Sequence, residues 1–197
     1  MKKDFTDTKT IAIFGAGTIG CAIAYRAALA GFHTVLQDMF PERLANGMAW
    51  ITSAFDHAAA CGTISCEQRD RALGNLKTCR SVEDACREAD LLIEAIAEEL
   101  EAKLEIFAIF DRFAKPNAIL ASSSNILSIA DMAAMTSREE NCIGLRFAGQ
   151  APNFDKLQIV LTDQTSQASI RACCEVGKLV ECEVALSNSS GSIGRGD

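Results

Sequence analysis

The sequence predicts an α/β fold, a doubly wound and mostly parallel sheet with helices on both faces. Three observations carry that expectation. Short apolar runs alternate with longer segments of helical period along the 197 residues, the order that βαβ units produce. Hydrophobic residues make up 49% of the chain, enough to cover a sheet from both sides. Glycine and proline punctuate the pattern at Gly31, Pro41, Gly62 and Pro116, where helices start or stop.

Taken in order, Ile11–Phe14 reads as the first strand and Thr18–Ala30 as the first helix, stopped by Gly31. Thr34–Gln37 is the second strand. Pro41 opens a long helix that runs toward Cys61, with Gly62 at its end. Ser65–Ala72 follows as a short helix and Asn75–Cys79 as a short strand. Ser81, with Asp84 three residues on, reads as the N-cap of the next helix. Ala89–Ala95 is a strand, Glu99–Ala114 is strongly helical until Pro116-Asn117 breaks it, and Ala118–Ala121 is another strand. Ser128–Met135 reads as a helix, Asn141–Arg146 as a strand, and Lys156–Leu161 alternates apolar and polar residues. Gln167–Leu179 is the last helix and Glu181–Leu186 the last strand. Residues 1–186 then form one domain, and the polar, Gly/Ser-rich 187–197 is expected to be a mobile tail.

The first strand leads directly into Gly15-Ala16-Gly17-Thr18-Ile19-Gly20, a G-x-G-x-x-G stretch. Each glycine answers a physical need of dinucleotide binding. Gly15 permits the tight turn off the strand, Gly17 removes a side chain where a pyrophosphate approaches, and Gly20 lets the helix pack close to the sheet. The helix N-terminus offers unpaired amides and a partial positive charge to the phosphates. Asp38 ends the second strand 18 residues after Gly20. An acid there accepts from ribose hydroxyls and repels a 2′-phosphate, so a Rossmann-type fold holding NAD rather than NADP is expected.

Composition narrows the partners. A formal net charge of −7 argues against nucleic acid and anionic membranes. No run approaches the roughly 18 apolar residues of a membrane span. Met1-Lys2-Lys3-Asp4 is not followed by an apolar stretch, so no signal peptide is expected and the location reads as cytoplasmic. The nine cysteines include no C-x-x-C pair and only two histidines accompany them, so reduced thiols and no metal site are expected. Cys21 reads as a small buried helix residue rather than a reactive thiol. His33 falls at the amino end of a strand, away from a ligand crevice, His57 reads as a surface residue of the long helix, and Tyr25 as packed.

Several segments together resemble the NAD-binding domain of the 3-hydroxyacyl-CoA dehydrogenase family. They are Ile13-Phe14-Gly15-Ala16-Gly17-Thr18-Ile19-Gly20, Leu36-Gln37-Asp38, Ile93 to Lys103, Ala118-Ile119-Leu120-Ala121-Ser122, Ile143-Gly144-Leu145 and Lys156-Leu157. The resemblance covers roughly residues 10 to 195. It implies oxidoreductase chemistry of fatty acid metabolism, in which the 3-hydroxyl of an acyl-CoA loses hydride to NAD. It also implies that Glu98 and Lys103 lie along the cofactor on its nicotinamide side, with Asn125 at a further contact. Without it, Glu98 reads as a solvated acid at a helix start and Lys103 as a surface lysine.

The chain departs from the family where the chemistry sits. Ser122-Ser123-Ser124-Asn125 places Asn125 where the family has its functional serine. The catalytic histidine is replaced by Arg146, a cofactor-contacting asparagine by Gly149, and the carboxylate that orients the histidine by Gln158. A Pro-Gly-Phe-Ile-Val-Asn-Arg motif survives only as Ser190 to Gly196, without its catalytic asparagine. The family's CoA-contacting serine and lysine fall on Ala54 and Cys61. The helical C-terminal domain that completes the family's substrate cleft and dimer is not among these residues. No catalytic residue is therefore assigned. Three readings stand: an NAD(H)-binding protein without the family's ordinary chemistry, an active oxidoreductase using other residues or a partner chain, and a non-enzymatic interaction module. An acyl-CoA or other small molecule is the expected second ligand, and a homodimer across the uncovered apolar face is the expected assembly.

Overall fold

The computed structural model describes residues 8–188. Its single sheet has eight strands in the order β3-β2-β1-β4-β5-β6-β7-β8. These are β1 (Thr10–Phe14), β2 (His33–Gln37), β3 (Leu76–Cys79), β4 (Leu91–Glu94), β5 (Ile119–Ser122), β6 (Cys142–Gln150), β7 (Asn153–Leu161) and β8 (Glu183–Asn188). All neighbours are parallel except β6 and β7. The helices are α1 (Thr18–Leu29), α2 (Pro41–Ala60), α3 (Cys66–Gly74), α4 (Val82–Glu88), α5 (Leu100–Phe113), α6 (Ile129–Ala133) and α7 (Gln167–Leu179), with one 3-10 turn at Glu139–Asn141.

The strand period of two divides the core into two layers. Ile11, Ile13, Leu36, Leu91, Ile93 and Ile143 face α1, α2, α3 and α7. Ala12, Phe14, Val35, Leu92, Leu120 and Cys142 face α4, α5 and α6. Phe14 packs on Phe110 of α5 with ring centroids 4.5 Å apart, and Tyr25 of α1 stacks on Phe55 of α2 at 4.2 Å. Small residues let α1 lie close to the sheet. A Cβ on Gly20 would stand 1.9 Å from the Gly15 carbonyl oxygen, so no side chain fits there.

Serine supplies the starts of four helices: Ser65, Ser81, Ser128 and Ser166 each accept an amide of the first turn. Ser65 and Gln68 complete a reciprocal capping box. The expected elements all form, with shifted ends. β6 and β7 run well past the expected Asn141–Arg146 and Lys156–Leu161, because they pair as an antiparallel hairpin from Gly144↔Val160 to Gln150↔Asn153. The outer part of that hairpin is exposed and so leaves little hydrophobic pattern to read. β8 begins at Glu183 rather than Glu181, because Glu181 occupies a left-handed turn with φ 58° that ends α7. Ser187 and Asn188, assigned to the tail by sequence, are the last residues of β8, paired with Val160 and Leu161. Residues 189–197 of the expected tail, with the Ser190 to Gly196 stretch, lie outside the described residues.

The close approach of α1 makes one position unforgiving. Gly20→Ala is expected to lower stability by about 2–3 kcal/mol, since the backbone at Gly15 must shift to admit the methyl. Urea denaturation measures this, and an unchanged midpoint would contradict the packing described.

Candidate functional site

One row of the sheet runs along the carboxyl ends of the strands. In register it reads Gln37, Phe14, Glu94, Ser122 and Gly144. Loops leaving this row carry the expected site residues, at the end of a doubly wound sheet where ligands bind.

The Gln37 to Phe14 pairing sets the glycine loop beside Asp38. Asp38 is buried, its Oδ2 accepting the Ala16 amide at 3.0 Å and its Oδ1 the Phe40 amide at 3.0 Å. Each oxygen keeps a further lone pair for a hydroxyl donor. Gly15 has φ 113°, and a Cβ there would lie 2.5 Å from the Ala95 carbonyl oxygen. Gly15 and Gly20 are thus required by the protein itself. Gly17 is different: its φ is −80° and an added Cβ meets no atom within 4 Å. Nothing in the fold asks for glycine at this exposed position, so the constraint fits a ligand lying against the backbone. Gly17, Thr18 and Ile19 are exposed while Ala16 and Gly20 are buried. Gly17 is the N-cap of α1, and no side chain caps that helix. Its first amides therefore point outward unpaired, as an anion requires. A cleft of about 360 Å³ opens here between α1 and α2, lined by Gly17, Thr18, Arg43, Asn46, Gly47 and Trp50 among others. The residues present fit a dinucleotide.

The centre of the row holds a buried polar network. Glu94 is fully buried, and Lys103, from α5, is 1% exposed. Lys103 Nζ donates to Glu94 Oε1 at 2.5 Å and lies 3.2 Å from Glu98 Oε2. Glu94 also accepts the Ser122 hydroxyl at 2.6 Å and the Ile96 amide at 2.7 Å. The Ser124 hydroxyl donates to Glu98 Oε1. Desolvation pushes the Glu98 carboxyl up. The Ser124 hydroxyl, the Lys103 ammonium and the Ile126 amide outweigh it and hold the group below its usual value.

Arg146 joins from β6, its Nε donating to the Ser124 carbonyl at 2.9 Å. Directly across the strand pair lies Gln158. Asn125 is exposed in the turn after Ser124. The structure therefore gathers Glu98, Lys103, Asn125 and Arg146 around one loop, and Gly15 to Gly20 with Asp38 around another. Lys103 is no surface lysine. Glu94, which links Lys103 to Ser122, is not singled out by sequence analysis. Its signal is an acid closing an apolar strand, as Asp38 closes β2.

Other expected residues take structural places. Cys21 is buried, its thiol against the Ala16 carbonyl, and burial followed by the Asp38 charge pushes it up to about 11. His33 lines a separate cavity of about 210 Å³ at the amino end of β2. His57 is exposed on α2, 3.6 Å from the Cys61 sulfur. Gly149 sits at a bulge with φ 114°, where a Cβ would meet Asp155 at 2.7 Å. Among the described residues no group of His, Cys, Asp and Glu could hold a metal ion, and no helix is long and apolar enough to cross a membrane.

Two outcomes test the network. Lys103→Met leaves Glu94 buried without its cation and is expected to cost about 3–5 kcal/mol, with the Glu94→Gln, Lys103→Met double variant less destabilised than the single one. Because the Glu98 carboxyl is depressed, its stabilisation is present above the ordinary carboxylate range and is lost as pH falls through the lowered value. The stability gap between the protein and its Glu98→Gln variant should therefore be full at pH 7 and close below about pH 4. Urea midpoints across pH would show a constant gap if Glu98 were not so held.

Residues 10–188 match the family model described as the 3-hydroxyacyl-CoA dehydrogenase, NAD binding domain. A 3-hydroxybutyryl-CoA dehydrogenase of Bradyrhizobium diazoefficiens is 33% identical over 179 residues, 91% of this chain and 61% of that protein. The mitochondrial hydroxyacyl-coenzyme A dehydrogenase of Sus scrofa is 29% identical over 86% of this chain and 56% of its own length. Among solved structures, 3-hydroxybutyryl-CoA dehydrogenase of Escherichia coli K12 superposes with a TM-score of 0.89 at 27% identity. That match covers 93% of this chain and 39% of the other. The (S)-3-hydroxybutyryl-CoA dehydrogenase of Ralstonia eutropha gives 0.88 at 27% identity, over 92% and 64%. The chain thus spans about three fifths of the length of the curated relatives it matches. With a matching sheet, a glycine loop open to a ligand and a family match over nearly its whole length, the chain belongs to the NAD-binding domain family of the 3-hydroxyacyl-CoA dehydrogenases.

Proposed function

We propose that this chain binds NAD(H) through Gly15 to Gly20 and Asp38, with Glu98, Lys103 and Asn125 toward the nicotinamide, and that it lacks the base for ordinary 3-hydroxyacyl-CoA dehydrogenation. NAD supplies the hydride acceptor when bound. The chain must supply the group that takes the hydroxyl proton. The observation that carries the proposal is the cross-strand pair Arg146↔Gln158. By resemblance these positions hold the family's histidine and its orienting carboxylate. Their register as direct partners is what such a pair requires, since side chains opposite each other on adjacent strands touch.

Arginine does not lose its proton in a protein, and glutamine carries no charge to steady an imidazolium. A positioned general base contributes roughly 10²–10⁴ in rate. Ser122 and Ser124 are taken up by the network, their hydroxyls donating to Glu94 and Glu98, whose carboxylates are neutralised by Lys103. Half-buried Ala54 and exposed Cys61 offer acyl-CoA neither the hydroxyl nor the cation that the resemblance implies. Gly149 cannot simply be returned to asparagine, because its φ of 114° excludes a side chain at little cost.

Two measurements test this reading. Gly17→Ala is expected to keep the parent melting temperature while weakening NADH about tenfold or more, read by fluorescence titration, because the methyl enters ligand space. Equal NADH affinity would remove Gly17 from the site. The full chain is expected to reduce acetoacetyl-CoA with NADH at well under about 1 per second, and Arg146→His with Gln158→Glu to raise that rate by about 10². Fast turnover by the parent chain would overturn the proposal.

A further inference from the structure

We propose that Arg146 makes the nicotinamide end of this cleft a receptor for the carboxylate of a small organic acid. This rests on the reading above, which puts the nicotinamide at that end of the sheet, and it names the class of second ligand.

Five cations are buried or half-buried among the described residues: Arg26, Arg69, Lys103, Arg138 and Arg146. Four have a carboxylate. Arg26 lies near Glu181, Arg69 holds Asp56 and Asp70, Lys103 holds Glu94 and Glu98, and Arg138 holds Asp111. Arg146 alone has none within ion-pair distance. Its one hydrogen bond in the described residues runs from Nε to the Ser124 carbonyl at 2.9 Å. Its Nη1 and Nη2 are not buried, so they stay open to solvent or to a ligand that carries the missing negative charge.

The direction of the side chain follows from strand alternation. A Cβ on Gly144 would meet Val160 and Ile129, in the layer that holds α5 and α6. Leu145 faces the opposite layer. Arg146 returns to the Gly144 face, and its bond to Ser124 places it beside the loop that carries Glu98's partner. The Nε anchor fixes the guanidinium plane and leaves Nη1 and Nη2 as a parallel pair of donors. That end-on fork matches the two oxygens of a carboxylate. Gln158 lies directly across from Arg146, and Asn125 follows the Ser124 turn, so the neighbouring side chains add amide donors. Glu98, the acid that shares Ser124 with Arg146, is already held by Ser124, Lys103 and Ile126. A free carboxylic acid satisfies this donor set. A thioester, which has no charge at that position, does not.

The test is calorimetric, on the full chain saturated with NADH in a carboxylate-free buffer. Acetoacetate is the probe and methyl acetoacetate its neutral counterpart. Acetoacetate is expected to bind with a dissociation constant in the millimolar range or tighter, and the ester at least about tenfold more weakly, as loss of a charged hydrogen-bond partner requires. Arg146→Gln should lose at least tenfold for acetoacetate while its weak binding of the neutral ester is unchanged. Equal binding of acid and ester by the parent chain overturns the proposal without any variant. So does absence of acetoacetate binding, or an unaffected Arg146→Gln. If NADH fails to bind, the cofactor reading falls, and the same titration without NADH decides the carboxylate site by the same acid-to-ester ratio.

Discussion

A lysine ammonium inside a protein needs an anion beside it, because an unpaired charge there loses several kilocalories of hydration. Lys103 meets that need with Glu94, and the arrangement of the carboxyl ends depends on the pair. Glu94 ends β4 between Phe14 of β1 and Ser122 of β5, so its carboxylate reaches three elements at once. It takes the Lys103 ammonium from α5, the Ser122 hydroxyl from β5 and the Ile96 amide from its own loop. Those contacts fix the start of α5 and thereby Glu98. Ser124 then binds Glu98, its amide bonds back to Ser122, and its carbonyl receives Arg146. A chain of charge-assisted hydrogen bonds thus carries the geometry of β4 outward to β6.

The other half of the cleft is held by steric limits instead. Gly15 and Gly20 stand where any side chain would strike backbone, and Asp38 ties the turn between them to β2 through the Ala16 amide. Two different devices therefore shape the two ends. One is an absence of side chains that lets α1 close on the sheet, and the other is a dense polar cluster that tolerates little change.

The sequence revealed the first device better than the second. Glycine spacing, the acid after β2 and the apolar strands are local patterns, and a parallel sheet buried on both faces makes its strands conspicuous. The cluster depends on approach between residues far apart in the chain. Lys103 sits on a helix that also carries Glu101 and Glu105, so its local sequence reads as a solvated face and does not indicate that it turns toward the sheet. Glu94 looks like the end of an apolar run, and its role appears only when β4 is placed between β1 and β5. The hairpin of β6 and β7 escaped for a related reason. Its outer residues are exposed, so hydrophobic alternation fades before pairing ends.

Arg146 and Gln158 form a polar cross-strand pair beside the Ser124 turn. The hairpin sets the two side chains directly opposite each other. Arginine and glutamine bring hydrogen-bonding capacity there, and neither side chain is a base near neutral pH. Apolar residues there would have abolished the polarity of this corner, whereas the guanidinium keeps two accessible donors and meets no carboxylate among the described residues. The proposed carboxylate would bring the negative charge that the described residues do not place beside this anchored guanidinium.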